Sequence, residues 1–133
     1  MIENQELMDA IHSVMNKHMM SLDSYDRDSK TYWLVSDDFP LISVTDIVKG
    51  IASVRMIIDN VQEKAEKGGL SCFDFFMNIA KSCSYYSIEL EKGRFVVFSL
   101  VIHEYSMLED AVGECMDVYK SYVNALKACY PFL

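Results

Sequence analysis

The chain has 133 residues, 51% of them hydrophobic, and a formal net charge of −8. This length favours a single domain over residues 1–133 with a core that needs neither disulfides nor metal, and the apolar content excludes an intrinsically disordered chain. The acidic balance argues against direct nucleic-acid binding, and no apolar run is long enough for membrane insertion.

The first third of the chain predicts one helix and two short strands. Residues 4–20 carry apolar side chains at spacings of three and four, which indicates an amphipathic helix. Residues 21–30 are rich in aspartate and serine and are interpreted as an exposed loop. Residues 31–35 are predicted to form a short strand, with Tyr32 and Leu34 on one face and Trp33 and Val35 on the other. Residues 39–44 form a second extended piece, which Pro40 limits to an edge or to a strand start.

Residues 45–67 are predicted to be helical. Ile47, Ile51, Val54 and Ile58 step at four, three and four, and Thr45 is suited to cap the helix. The competing interpretation is a strand over residues 48–58, which the β-branched side chains favour.

The second half predicts a helix, a hairpin and a final helix. The helix covers residues 71–82, and the hairpin joins strands at 85–91 and 95–105. The second of these strands is apolar on both faces, so it is expected inside a sheet. Ser106-x-x-Glu109 predicts a capping box before the last helix. The fold class is therefore α+β, with helices on a small antiparallel sheet in the order α-β-(β)-α-α-β-β-α.

No catalytic, cofactor or metal signature appears in the sequence. His12 and His18 point about 240° apart on one helix, so they cannot share a metal ion. The cysteines form no C-x-x-C pair and are interpreted as reduced, buried side chains: Cys72, Cys83, Cys115 and Cys129. The N-terminus lacks a secretory signal. We therefore expect a cytoplasmic protein that is not an enzyme and uses no cofactor.

Two groups of side chains are candidates for binding a protein partner. Methionine is adaptable and suits binding surfaces, and Met15 and Met19 lie near the end of the first helix. Aromatic and apolar residues on a short strand would support docking by strand addition, and here these are Tyr32, Trp33 and Leu34. The alternative for both groups is ordinary packing in the core.

Residues 71–126 resemble the second half of the acidic class I chaperones of bacterial type III secretion. The resemblance rests on the order helix, hairpin, helix, on the strand Gly93-Arg94-Phe95-Val96-Val97, and on the apolar positions of the last helix: Leu108, Val112, Tyr119 and Leu126. It implies a cytoplasmic homodimer without enzymatic activity. Such a dimer holds an effector segment in extended form against hydrophobic patches.

The first half departs from that pattern, because the family places three strands between its first two helices. A helix at 45–67 fits the adaptor chaperones of type IV secretion better, and both resemblances stay open.

Two other functions remain as alternatives. The first is an acidic inhibitor, such as an immunity or anti-defence protein that blocks a basic nucleic-acid-handling partner. It requires the acidic residues to cluster on one face: Asp23, Asp26, Asp28, Asp37 and Asp38. The second is an enzyme or ligand-binding domain whose site is assembled from dispersed residues, which would require a deep pocket with convergent polar groups.

Overall fold

A computed structural model describes residues 4–58, 87–91 and 95–129. They form two α-helices, six strands and one 3-10 turn. In chain order these are α1 (Gln5–His18), β1 (Ser21–Asp26), β2 (Thr31–Val35), β3 (Leu41–Val48), β4 (Ile51–Ile58), β5 (Ser87–Glu91), β6 (Phe95–Ile102), the 3-10 turn (Tyr105–Met107) and α2 (Leu108–Cys129).

The strands form one antiparallel sheet in the order β1-β2-β3-β4-β6-β5. The α+β class with helices on an antiparallel sheet is therefore confirmed. Strand β6 lies between β4 and β5, so the interior position predicted for it is also confirmed. Its C-terminal end is less covered than expected, because Val101 is 48% exposed.

The core lies between the two helices and one face of the sheet. In β4, alternate side chains are buried: Ala52, Val54, Met56 and Ile58 are at most 3% exposed. This is the period of two that a strand imposes when one of its faces is covered. The helices contribute fully buried side chains to the same cluster, among them Leu7, Ile11, Val14, Leu108 and Val112.

The helix predicted over residues 45–67 is wrong for residues 45–58, which form the end of β3 and the whole of β4. Lys49 and Gly50 make the turn between these strands, and Gly50 has φ +87°. A side chain at that φ is strained, so glycine favours a turn here. The competing strand interpretation of residues 48–58 is the one that the structure supports.

The loop predicted over residues 21–30 is wrong for its first six residues, which form β1. Five of these six residues are exposed, because β1 lies at the edge of the sheet. An exposed edge strand carries polar side chains, so its composition is that of a loop. The β1–β2 turn follows at residues 27–30, where Lys30 has φ 54°.

The last helix begins differently from the prediction. Ser106 lies inside the 3-10 turn, and its hydroxyl donates to the Glu104 carboxylate at 3.4 Å. The predicted capping box is therefore not formed. The predicted helix at 71–82, the start of the hairpin strand at 85–86 and the hairpin turn at 92–94 lie outside the described residues. Neither described helix is both long and apolar enough to cross a membrane.

The hydroxyl of Tyr105 connects three distant segments. It accepts hydrogen bonds from the Asn4 side-chain amide at 2.6 Å and from the Gly50 backbone N–H at 2.9 Å. It donates to the Asp46 carboxylate at 2.9 Å, and the Val48 carbonyl lies 3.3 Å away. Asn4 also caps α1, since its Oδ1 accepts from the Leu7 N–H. One buried hydroxyl thus joins the start of α1, the β3–β4 turn and the start of α2.

Replacing Tyr105 with phenylalanine should lower the free energy of unfolding by about 1–3 kcal/mol. The variant leaves the Gly50 N–H and the Asp46 carboxylate without their hydroxyl partner. Urea denaturation monitored by circular dichroism measures the change. The matched control is Tyr25→Phe, because no hydrogen bond of the Tyr25 hydroxyl is seen and its ring stacks on Tyr32. Equal stability of the Tyr105 variant and the native chain would contradict this role.

The same hydroxyl predicts a loss of stability in alkali. Burial raises the pKa of Tyr105 above its ordinary value of 10.0, and the neighbouring Asp46 carboxylate raises it further. A raised pKa means that the folded state holds the proton more tightly. The stabilisation is therefore complete below pH 10 and is lost as the pH rises through the folded pKa. The difference in unfolding free energy between the native chain and Tyr105→Phe should be constant below about pH 9 and shrink above pH 10.

Candidate functional site

Two of the predicted partner-binding residues lie in the core. Tyr32 is 2% exposed and Leu34 is fully buried. They alternate with Trp33 on β2, which is an interior strand between β1 and β3, and their side chains face the helices. Neither side chain can contact a partner while the sheet is folded, so their contribution is to hold β2 in place.

The other three predicted residues are accessible to different degrees. Met15 is half-buried and packs against the edge of the core. Trp33 is half-buried on the opposite face of the sheet, where its neighbours in register are Ser24 and Ser43. Met19 is 88% exposed, more than any other large apolar side chain of the described residues. The structure therefore separates the five predicted residues and does not bring them into one surface.

Met19 occupies a position that is unfavourable for methionine in two respects. It ends α1 in the left-handed conformation, with φ 54° and ψ 44°, and its N–H bonds to the Met15 carbonyl. Glycine is the usual residue at such a position, and a side chain there costs about 1–2 kcal/mol. Its apolar side chain also points into solvent. Neither the backbone conformation nor the described core favours a methionine at this position.

Met19 lies two residues before β1, which is an edge strand of the sheet. No described strand pairs with the outer edge of β1, and Leu22 on this strand is 38% exposed. The pairing with β2 is irregular between Leu22 and Ser24, which places a bulge at Asp23. We call Met19, Leu22 and the outer edge of Ser21–Asp26 the β1 edge surface. Sequence reasoning found Met19 but missed the strand beside it, because β1 has no apolar alternation.

The five acidic residues proposed for an inhibitor surface do not form one cluster: Asp23 lies within β1, and the other four lie at two turns. Asp26 and Asp28 lie at the β1–β2 turn, whereas Asp37 and Asp38 lie at the β2–β3 turn. These turns are at opposite ends of β2, roughly 17 Å apart for a strand of five residues. Asp26 has a local function: the Ser29 hydroxyl and the Asp28 N–H donate to its carboxylate and lower its pKa.

The described residues contain few groups suited to catalysis. No three His, Cys, Asp or Glu side chains of residues 4–58, 87–91 and 95–129 are placed to hold a metal ion. Cys115 is a buried thiol of the core. The Nε2 atom of His18 is buried without a hydrogen-bond partner at the end of α1. These groups lie apart and form no pair of nucleophile and base.

Comparison with known proteins shows the fold but no family. No protein-family model and no curated protein matches the sequence. Among solved structures, an uncharacterized protein from Methanothermobacter thermautotrophicus superposes with a TM-score of 0.61 at 7% identity, over 92% of this chain and 96% of that one. YbjN from E. coli gives a TM-score of 0.54 at 10% identity, over 91% and 90%.

A third similar structure is the Yersinia pestis type III secretion chaperone SycH in complex with a stable fragment of YscM2. It gives a TM-score of 0.51 at 8% identity, over 92% of this chain and 98% of that one. Identities this low establish a shared fold and nothing finer. The chain therefore has a fold that a secretion chaperone also uses.

Replacing Met19 with glycine should raise the free energy of unfolding by up to about 1 kcal/mol. The variant relieves a left-handed penalty of about 1–2 kcal/mol, and the greater entropy of glycine in the unfolded chain offsets about 0.5–1 kcal/mol of it. Thermal and urea melts measure the change. Val48→Gly, at another exposed apolar position, is the control and should destabilise its strand. A loss of stability in Met19→Gly would show that the methionine side chain serves the fold itself.

Proposed function

We propose that this chain is a non-enzymatic, chaperone-like protein-binding module that holds an extended segment of a partner protein on the β1 edge surface. The observation that carries the proposal is Met19, an apolar side chain that is 88% exposed and held in an unfavourable backbone conformation. Backbone strain of this kind persists where function requires it.

An extended peptide segment is the occupant that fits this surface. The outer edge of β1 offers backbone N–H and C=O groups, which an added strand would pair with, while Met19 and Leu22 offer apolar contacts to its side chains. Backbone pairing would supply affinity that depends little on sequence. The methionine would adapt to different apolar side chains.

The β1 edge disfavours pairing with a second copy of itself. Asp23 and Asp26 are exposed on the strand, and two such edges would bring like charges together. A partner segment without acidic residues would not meet the charge penalty, so the proposed occupant is a different protein.

The fold supports the proposal at the level of architecture. SycH was crystallised with a fragment of another protein, YscM2, and this chain shares its α+β architecture. A cytoplasmic location, a role in secretion or virulence, and a homodimer are further parts of the proposal that follow from the same likeness and from the sequence resemblance. The homodimer would use a face other than the β1 edge.

Replacing Met19 and Leu22 together with serine should abolish capture of the partner. The tagged native chain is expressed in its host, and co-purifying proteins are identified by mass spectrometry at low and high salt. Because the proposed contacts are apolar and backbone-mediated, a stoichiometric partner should remain bound to the native chain at high salt. The double variant should lose it.

Val48→Ser is the matched control, since Val48 is 56% exposed and lies at the other end of the molecule. It should retain the partner. The proposal is wrong if the double variant captures the partner as well as the native chain does. Loss of the partner from the native chain at high salt would instead support the acidic inhibitor.

A further inference from the structure

Two neighbouring depressions lie beside the start of α1 and the start of α2. The first, of about 570 Å³, lies among the start of α1, the β3–β4 turn and residues 103–106. The second, of about 540 Å³, lies between β6 and the start of α2. His103 lines both of them. Because they share this wall, one extended ligand could occupy both.

Carboxylates surround both depressions. Glu6, Asp9 and Glu104 line the first, and Asp110 and Glu114 line the second. The described residues that line the depressions include no lysine or arginine, and the exposed Lys49 beside Gly50 is the cation nearest to them in sequence. Concave surfaces lined by charges of one sign concentrate their field, so this end of the chain should attract cations.

The second depression also offers apolar contacts. Ile102 and Ala111 are buried beneath it, and Leu100 is partly buried. Met107 and Val101 are 47% and 48% exposed at its walls. An apolar side chain placed there would gain contacts with the adaptable Met107, while its flanking charges would meet the carboxylates.

We propose that these two depressions, together called the acidic end surface, bind a basic peptide segment of a partner protein that carries an apolar anchor residue. Lysine or arginine side chains pair with the carboxylates around His103, and the anchor packs against Met107. This inference extends the proposed protein-binding function to a second surface. It does not depend on the β1 edge surface for its test.

Charge and geometry disfavour the other occupants. Nucleic acid and a second copy of the chain are both negatively charged, since the net charge of the chain is −8. A single metal ion does not fit, because no three ligating side chains among the described residues converge. A basic segment with an apolar residue satisfies both the carboxylates and the exposed methionine.

The test measures binding of an eight-residue peptide of alternating leucine and lysine to three forms of the full chain by fluorescence anisotropy. These are the native chain, Glu104→Lys/Asp110→Lys, and Asp37→Lys/Asp38→Lys. The two variants carry the same change of charge, and all four side chains are exposed. The first variant should weaken binding by roughly tenfold or more, and the second by about threefold or less. Thermal melts establish that each variant is folded.

A second readout locates the peptide. In chains labelled at the methionine methyl groups, the peptide should shift the Met107 resonance and leave the Met19 resonance unchanged. A peptide of alternating serine and lysine should bind roughly tenfold more weakly, because it lacks the anchor.

Three results would overturn the inference: equal weakening by both charge variants, equal binding of the serine and leucine peptides, or a shift at Met19 in place of Met107. Equal weakening by both charge variants would mean that the peptide is attracted only by the net charge of the chain. The third result would place the peptide at the β1 edge surface. The affinity capture with the Met19 and Leu22 variant keeps its own outcome in each case, so the two proposals fail separately.

Discussion

The Tyr105 hydroxyl is the interaction on which the arrangement of this fold most depends. Its partner Asn4 lies 101 residues away in sequence, and its partner Asp46 lies 59 away. These bonds fix the first turn of α1 against the β3–β4 turn and the start of α2. The buried side chains Leu7, Ile11 and Val14 then set the direction of the helix, and with it the place where it ends, at Met19. Tyr105 also lines the first depression. The residue thus holds together the three segments around that depression.

The parts of the fold that could be predicted are those in which one periodicity dominates. Helix α1 shows spacings of three and four without competition, and β2 alternates over its whole length. The helix prediction for residues 45–58 was wrong because four apolar side chains satisfy the helical spacing by coincidence: Ile47, Ile51, Val54 and Ile58. The buried set of β4 is in fact every second residue, beginning at Ala52. Ala52 and Met56 carry no β-branch and so did not reveal that alternation.

The site was predictable only in part, because exposure depends on which strands lie beside a residue. Alternation along β2 shows that Leu34 and Trp33 face opposite ways, but it does not say which face the helices cover. Which face of β2 is covered depends on its neighbours β1 and β3. The strand β1 was not predicted, because its polar sequence is typical of a loop. Met19 was found because methionines cluster at the end of the first helix and methionine suits binding surfaces, an argument that does not separate it from the neighbouring Met20, which is buried. The left-handed conformation of Met19, the more informative feature, is visible only in three dimensions.

The first depression lies beside the start of α1, and the β1 edge surface begins at the residue that ends this helix. Glu6 and Met19 are 13 residues apart, which is about 20 Å along a helix. An extended segment covers that distance with about six or seven residues. Two small contacts joined by such a segment bind more tightly than either alone, because the second forms within one complex. Of the two proposed contacts, only the acidic one should respond strongly to salt. A protein that must hold a partner extended and later release it gains from this division, since the complex can dissociate stepwise from either end.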